Sequence, residues 1–286
     1  MPDQITPILL ASEYATYKNK PSLNADTRTQ WEADIYDCAA AVQGEGFCNR
    51  RFDERIETRL YTPLQRRNGG HLQGVSLLLD DDLMTLTTLL NGNGVDVTAA
   101  AVLEPLNSSP AHTLWLNPDQ AQWSAPANNT PTKGSISVTG TWGYRGRWAA
   151  LGELNADVSD TNTTTFTVLD GTLYESGMLL KVGSEYVLVD DVTGNDLTVV
   201  RGHNGSTAAT HLNGATIERH HFEPRIVRAM KRFLDWVLAQ KSSPFIGKAQ
   251  IGDFEIPIDM TELPKDIQRL FAAMQRSSAR LRTVGD

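Results

Sequence analysis

Segment 134–144, GSISVTGTWGY, constrains the fold most, because apolar and small polar residues alternate along it. Ile136, Val138 and Gly140 occupy alternate positions, and Ser or Thr fills the positions between them. A period of two predicts a strand with one buried and one exposed face. Gly140 and Gly143 indicate a bulge or a close backbone approach near the end of this strand.

Further strand and turn signals precede this segment. The predicted strands are 54–62, 75–79, 84–90 and 113–116. The sequence Asn91-Gly92-Asn93-Gly94 predicts a hairpin turn, because Asn and Gly tolerate positive φ. Asp80, Asp81 and Asp82 lack the spacing and the glycine of a calcium loop, so they are predicted to form a turn or an N-terminal cap.

Short β segments separated by glycines fill residues 155–220. They are 166–169, 178–182, 185–189, 197–200 and 215–218. Short, evenly spaced strands with frequent turns are typical of a small barrel or sandwich. The acidic, Thr-rich stretch 157–165 is interpreted as the linker that enters this segment.

Helical periodicity occurs on both sides of the β-rich region. The first helix is predicted to begin at Asp26 or Thr27 and to end at Gly44, with Trp31 and Ile35 in its apolar stripe. A second helix starts near Pro224, and a third follows Pro264. Residues 1–26 are polar apart from one apolar run at 8–10, and they predict an extended arm that docks on the protein or a poorly ordered tail.

The charge balance limits the possible partners. The chain has 286 residues, a net charge of −8 and a sequence pI near 5.3. This argues against a protein that wraps nucleic acid by neutralising phosphates. It is compatible with a DNA conduit, because an acidic wall does not hold DNA.

The two cysteines are expected to be free thiols. Cys38 and Cys48 are ten residues apart, and a helix would separate them by about 15 Å, which is too far for a disulfide. No apolar run reaches the length of a membrane span, and the N-terminus has no signal-peptide pattern. The chain is therefore expected to be made in the cytoplasm, to stay there unless a larger assembly carries it out, and to have no membrane partner.

No catalytic or metal-binding pattern is apparent. His203, His211, His220 and His221 form the main group of metal-type ligands, but they have no cysteine partners at zinc spacing. His220 and His221 are expected to cap the junction with the following helix. Neither a nucleophile elbow nor a phosphate loop is present. We therefore expect no cofactor and no enzymatic activity.

Several strings occur in an order known from one family. They are CNRRF at 48–52, LLLDDDLMTLT at 77–87 and ISVTGTWGY at 136–144. In this order they resemble the head–tail connector (adaptor or head-completion) proteins of tailed bacteriophages. The resemblance covers about residues 27–145 and the helix after 222. The strings GSEYVLV at 183–189 and LTVVRGHNGSTAATH at 197–211 look like a small β module of phage structural proteins, where it serves for contact.

The resemblance implies a fold and a location. It implies an α+β protein in which a helical connector core with antiparallel β hairpins carries an inserted small all-β domain. The implied organisation is an arm at 1–26, a core at 27–154, the inserted domain at 155–220 and C-terminal helices at 221–286. The chain would form a ring, implied to be a dodecamer, between the portal protein and a tail or stopper protein in the virion neck. DNA would pass through the lumen without sequence-specific binding.

The last helix is the basic outlier of an acidic chain, and two interpretations of it stay open. It is either a solvated helix or a docking element for an acidic partner surface or for DNA. The docking hypothesis names Lys265, Arg269, Phe271, Arg276, Arg280 and Arg282 as contacts with the portal.

An alternative function is a phage baseplate or surface β module that recognises a carbohydrate or a protein. In this alternative, residues 155–220 and exposed side chains of Trp123, Trp142 and Trp148 carry recognition. A hydrolase is the third and least favoured function, because no nucleophile with a His and an acid is apparent.

Overall fold

The computed structural model describes residues 5–20, 22–44, 47–62, 76–124, 126, 133–241 and 263–276. The chain forms two compact units. One consists of Met1–Asp53 together with Gly146–Arg276, and the other is built on Glu54–Arg145. These boundaries differ from the predicted domains, because the strand that follows Gly146 pairs with a strand near residue 220 rather than with the preceding sheet.

The unit built on Glu54–Arg145 is an antiparallel sheet of five strands. They are β1 (Arg55–Tyr61), β2 (Leu77–Leu90), β3 (Ala101–Glu104), β4 (Ala111–Leu116) and β5 (Ile136–Trp142). The strand order is β1-β5-β2-β4-β3. The predicted hairpin turn at Asn91 is present, with the Gly94 amide donating to the Asn91 carbonyl at 2.8 Å.

Strand β5 has the predicted alternation, since Ile136, Val138, Gly140 and Trp142 are buried. These residues join a core formed with β2 and β4. The close approach expected at Gly140 is also present, because a Cβ there would lie 2.2 Å from the carbonyl oxygen of Thr85.

The prediction of a turn or cap at the three aspartates is wrong. Strand β2 runs through all three, with Asp81 and Asp82 buried. The carboxylate of Asp81 accepts a hydrogen bond from Arg59 Nη2 at 2.8 Å, and Asp82 lies 3.1 Å from His112 Nδ1. His112 on the adjacent strand β4 and Arg59 on β1, two strands away, therefore offset the burial of these charges.

The other unit contains an antiparallel sheet of six strands. They are β6 (Arg147–Glu153), β7 (Thr165–Thr167), β8 (Leu179–Val182), β9 (Glu185–Thr193), β10 (Asp196–Val200) and β11 (Thr216–His221). The strand order is β6-β11-β8-β9-β10-β7. A bridge between Leu154 and Val168 joins the ends of the two edge strands, so the sheet curls around its own apolar core.

Helices of the same unit come from both ends of the chain. They are α1 (Ala11–Tyr17), α2 (Ala25–Gln43), α3 (Pro224–Lys241) and α4 (Lys265–Ala272). The ring of Tyr14 meets Trp31 edge-on at 4.8 Å, and Lys241 of α3 pairs with the buried Asp34 of α2. Helix α2 begins earlier than expected, because Asn24 is its N-cap and accepts the Thr27 amide at 2.8 Å.

The N-terminal segment packs on the protein rather than extending from it. Ile8, Leu9 and Leu10 are buried, and α1 follows at once. Of the two alternatives for residues 1–26, docking on the protein therefore holds for the apolar run at 8–10. Helix α1 was not predicted from the sequence. Cys38 and Cys48 are buried free thiols.

The predicted α+β fold with a helical connector core is wrong. Within the described residues the chain is mostly β, with eleven strands in two antiparallel sheets and four α-helices. Among the described residues, strands occur from β1 to β11, and the four α-helices lie before β1 and after β11. The core of the Glu54–Arg145 unit is therefore a sheet.

Candidate functional site

Helix α4 is held by its apolar face. Ile267 and Phe271 are buried, and Phe271 packs at 5.6 Å from Phe47 and 5.8 Å from Phe233 between ring centroids. Phe47 and Phe233 also contact each other at 5.4 Å. This aromatic triad anchors an eight-residue helix, which would be marginal in isolation.

The six residues of the docking hypothesis are not equivalent. Lys265 and Arg269 are exposed on α4. The prediction that Phe271 is a surface contact is wrong, because its side chain is 0% exposed and belongs to the core. Arg276 is half-buried, and its backbone amide donates to the Cys48 carbonyl at 2.9 Å. The predicted contacts Arg280 and Arg282 lie outside the described residues.

Basic side chains are concentrated on the C-terminal helices. Together α3 and α4 carry seven Lys or Arg side chains and two Asp side chains, in a chain whose net charge is −8. Both aspartates are paired: Asp235 with Lys18 at 2.8 Å, and Asp266 with Arg232 at 2.5 Å. The exposed side of these helices is therefore strongly cationic, a property that sequence reasoning identified for α4 only.

A cavity of about 660 Å³ lies beside the first turns of α3. Residues 7–17, α3 and the six-stranded sheet supply its wall, which mixes apolar and cationic side chains. The cations on the wall are Arg147, Arg219, Arg228, Lys231 and Arg232, and Glu13 is the one carboxylate residue among the described lining residues. Its volume is within the range of small-molecule sites.

Only some of the cations on the cavity wall have a carboxylate partner. Arg219 Nη2 lies 2.6 Å from Glu13 Oε1. Neither Arg147 nor Arg228 makes an ion pair with any residue that the structure describes, and the Lys231 ammonium lies 5.8 Å from the ring centroid of Tyr17. Burial, with repulsion from Arg219 and Arg147, lowers the pKa of His221, which also lines the cavity. The site therefore holds uncompensated positive charge.

His220 is the unusual polar residue of the cavity wall. Its side chain is 3% exposed, and neither ring nitrogen has a hydrogen-bond partner among the described residues. The rings of Trp148 and Phe222 meet it edge-on at 5.0 and 4.8 Å. Burial lowers the pKa of His220 to about 4, so the imidazole is neutral at pH 7. It does not cap α3, as the sequence suggested, but packs between aromatic rings.

Two further buried polar clusters are structural. Glu185 is fully buried and accepts hydrogen bonds from Arg201 and His211. In the second cluster, Thr6 Oγ1 lies 2.9 Å from Asp53 Oδ2 and 3.1 Å from His203 Nε2. These residue types resemble a nucleophile, an acid and a base, but the carboxylate bonds the hydroxyl itself and Thr6 is 0% exposed. A substrate has no access to this group.

The tryptophans proposed for carbohydrate recognition are largely covered. Trp142 is 0% exposed and Trp123 is 7% exposed, so both belong to the core of the five-stranded sheet. Trp148 is half-buried and stacks on Tyr186 at 5.1 Å. The exposed aromatic surface that this alternative requires is therefore not formed by these three residues.

Within the described ranges, no three His, Cys, Asp or Glu side chains lie close enough together to hold a metal ion. In the same part of the chain, no helix has the length and apolarity needed to cross a bilayer.

Comparisons with known proteins give no relative. No protein-family model matches the chain, and neither the curated proteins nor the solved structures contain a significant match.

Proposed function

We propose that this chain is a head–tail connector of a tailed bacteriophage, a structural protein of the virion neck. The observation that carries the proposal is the arrangement of two of the three strings that resemble connector proteins, those at 77–87 and 136–144. They form β2 and β5, which pair side by side, with Leu83 opposite Trp142 and Leu89 opposite Val138. Strings separated by about fifty residues thus build one structural feature, the centre of the five-stranded sheet.

The cationic side of α3 and α4 supplies a surface for an acidic partner. In the proposed role, Lys265 and Arg269 contact the portal protein, and the aromatic triad holds α4 in place. Charge complementarity of this kind steers association and fixes register more than it adds affinity. The proposal does not require a helical core, since contact surfaces alone perform the function.

Copies of the chain associate into a closed ring by repeated heterologous contacts. Edge strands and exposed apolar side chains support such contacts. Strand β1 pairs on one side only within the described residues, and Leu60 on this strand is 66% exposed. Packaged DNA passes through the lumen, and the net charge of −8 favours passage over binding. A tail or stopper protein binds the other end of the ring.

Reversal of the two exposed α4 charges tests the docking step. The double variant Lys265→Glu/Arg269→Glu is titrated against purified portal rings encoded by the same genome, alongside Lys20→Glu/Lys133→Glu as a matched control. Lys20 and Lys133 are exposed and lie outside α3 and α4. We expect the α4 variant to lose portal binding by tenfold or more and the control to bind as the wild type does.

Portal binding that is equally strong in both variants would contradict the docking role of α4. Absence of binding by the wild-type chain, under conditions in which the portal ring is intact, would contradict the connector assignment itself. Deletion of residues 264–286 is a poorer test, because it also removes the buried side chains of Ile267, Phe271 and Met274.

A further inference from the structure

Cations from several elements line the basic cavity, where Arg147 and Arg228 are exposed and Lys231 is half-buried. Its cations come from separate elements: Arg147 from β6, Arg219 from β11, and Arg228 and Lys231 from α3. Like charges along one wall repel one another, and solvent screens part of this repulsion because Arg147 and Arg228 are exposed. An anionic ligand is the simplest group that would compensate Arg147, Arg228 and Lys231 together.

His220 belongs to the wall of the same cavity, and its ring nitrogens are buried without a partner among the described residues. A buried nitrogen without a partner costs roughly 1–3 kcal/mol, so native structures retain few of them. A Cβ on Gly146 would lie 2.0 Å from His220 Nε2, so the absence of a side chain at Gly146 allows the imidazole to pack against the backbone. The neutral ring lines the cavity, so its nitrogen signals can report a ligand that enters there.

The rest of the wall limits the class of ligand. Met178, Phe222 and Val227 add apolar surface next to the cations. A single carboxylate would offset only one of the three cations that lack an acidic partner, whereas a diphosphate or triphosphate offsets all three. Arginine side chains also match phosphate oxygens in a bidentate geometry.

We propose that the cavity lined by Arg147, Arg228, Lys231 and His220 binds a small ligand that carries a diphosphate or triphosphate group. The phosphates contact the three cations, and the apolar wall contacts the organic part of the ligand. The proposed portal contacts Lys265 and Arg269 do not line this cavity, and the proposal does not depend on the connector function.

Calorimetric titration of the full chain with inorganic pyrophosphate, and separately with ATP, in about 150 mM salt tests the proposal. The variants are Arg147→Gln and Arg228→Gln, and the control is Arg225→Gln. Arg225 lies on the same helix as Arg228, is 60% exposed and does not line the cavity. We expect each cavity variant to weaken pyrophosphate binding at least tenfold and the control to change it less than twofold.

Three outcomes would overturn the proposal. The first is no binding of pyrophosphate or ATP at millimolar concentration, and the second is equal weakening in Arg225→Gln and Arg228→Gln. The third is binding of a DNA duplex that pyrophosphate does not displace, which would assign the charge to a nucleic-acid surface. A duplex that pyrophosphate does displace would support the site and identify nucleic acid as a second source of phosphate.

The ring nitrogens of His220 report the location of binding. In NMR spectra of the full chain, saturating pyrophosphate is expected to shift the His220 side-chain nitrogen signals. The signals of His112, which lies on β4 in the other unit, are expected to stay in place. Unchanged His220 signals in the presence of bound pyrophosphate would exclude the cavity as the site.

Discussion

At the residue scale, the Glu185 cluster shows how one buried charge organises the six-stranded unit. Its carboxylate accepts hydrogen bonds from Arg201 Nε at 2.6 Å and Nη2 at 2.8 Å, and from the backbone amides of Gly202 and Ala209 at 3.1 and 3.0 Å. Burial raises the pKa of Glu185, but hydrogen bonds from Arg201, Ala209 and His211 outweigh burial and hold it below its ordinary value. The cluster ties β9 to the loop that follows β10.

Glu185→Gln is expected to lower the free energy of unfolding by about 3–5 kcal/mol, because it leaves the buried guanidinium of Arg201 without a counter-charge. Urea denaturation measures this loss. The control is Glu218→Gln, since Glu218 pairs with Lys181 at 3.6 Å on the surface and should change stability by less than about 0.5 kcal/mol. Equal effects of the two variants would show that the cluster does not stabilise the fold.

His220 makes stability depend on pH. Its pKa of about 4 in the folded chain lies below the ordinary value of 6.5, so the unfolded chain binds a proton at higher pH than the folded chain does. The contribution of the neutral ring is complete above pH 6.5 and is lost as the pH falls toward 4. Full loss corresponds to roughly 3 kcal/mol.

His220→Gln should remove this pH dependence. We expect the wild type to lose about 2–3 kcal/mol more than the variant when urea denaturation is repeated at pH 4.5 instead of pH 7. Carboxylates such as Asp235, whose pKa is lowered chiefly by its hydrogen bonds despite burial, titrate in both proteins and cancel in the comparison. Parallel losses in the wild type and the variant would contradict a buried neutral histidine.

At the scale of elements, strands with strict alternation could be predicted from the sequence. Strand β5 was predicted from its period of two, and the predicted β segments between 166 and 218 correspond to β7–β11. The continuation of β2 through the three aspartates could not be predicted from the sequence. Three aspartates normally favour a turn, and their partners Arg59 and His112 are remote in sequence. The pairing of β6 with β11 was missed for the same reason, since pairing between distant segments leaves no local pattern.

The contact between β2 and β5 depends on Gly140. Gly140→Ala would place a Cβ 2.2 Å from the Thr85 carbonyl oxygen, a backbone atom that can move only with its strand. We expect a loss of at least about 1–3 kcal/mol in the free energy of unfolding, measured by urea denaturation. The control Gly183→Ala, in a turn where a Cβ meets no atom within 4 Å, should cost only the strain of its positive φ, about 1 kcal/mol. A smaller loss for Gly140→Ala than for Gly183→Ala would contradict the close packing of the two strands.

At the scale of the whole molecule, the distribution of charge is the feature that links fold to function. The chain is acidic overall, but its C-terminal helices and the adjacent cavity are cationic. The basic character of α4 could be read from the sequence. The cavity could not, because Arg147, Arg219 and Arg228 come together only when β6, β11 and α3 assemble.

The helical core expected from the family resemblance was also wrong, because that expectation rested on the order of a few strings rather than on local patterns. The residues themselves predicted strands across most of the chain from 54 to 220, and the structure has strands there. The proposed function keeps one part of what the resemblance implies: a ring of copies that binds the portal on one side and the tail on the other.

The most direct test of the proposed function is electron cryomicroscopy of tailed phage particles produced from a genome that carries this gene. We predict a closed ring of copies in the neck between the portal and the tail, with Lys265 and Arg269 of α4 facing the portal. Location of the chain in the baseplate or on the capsid surface, or its absence from the particle, would contradict the account.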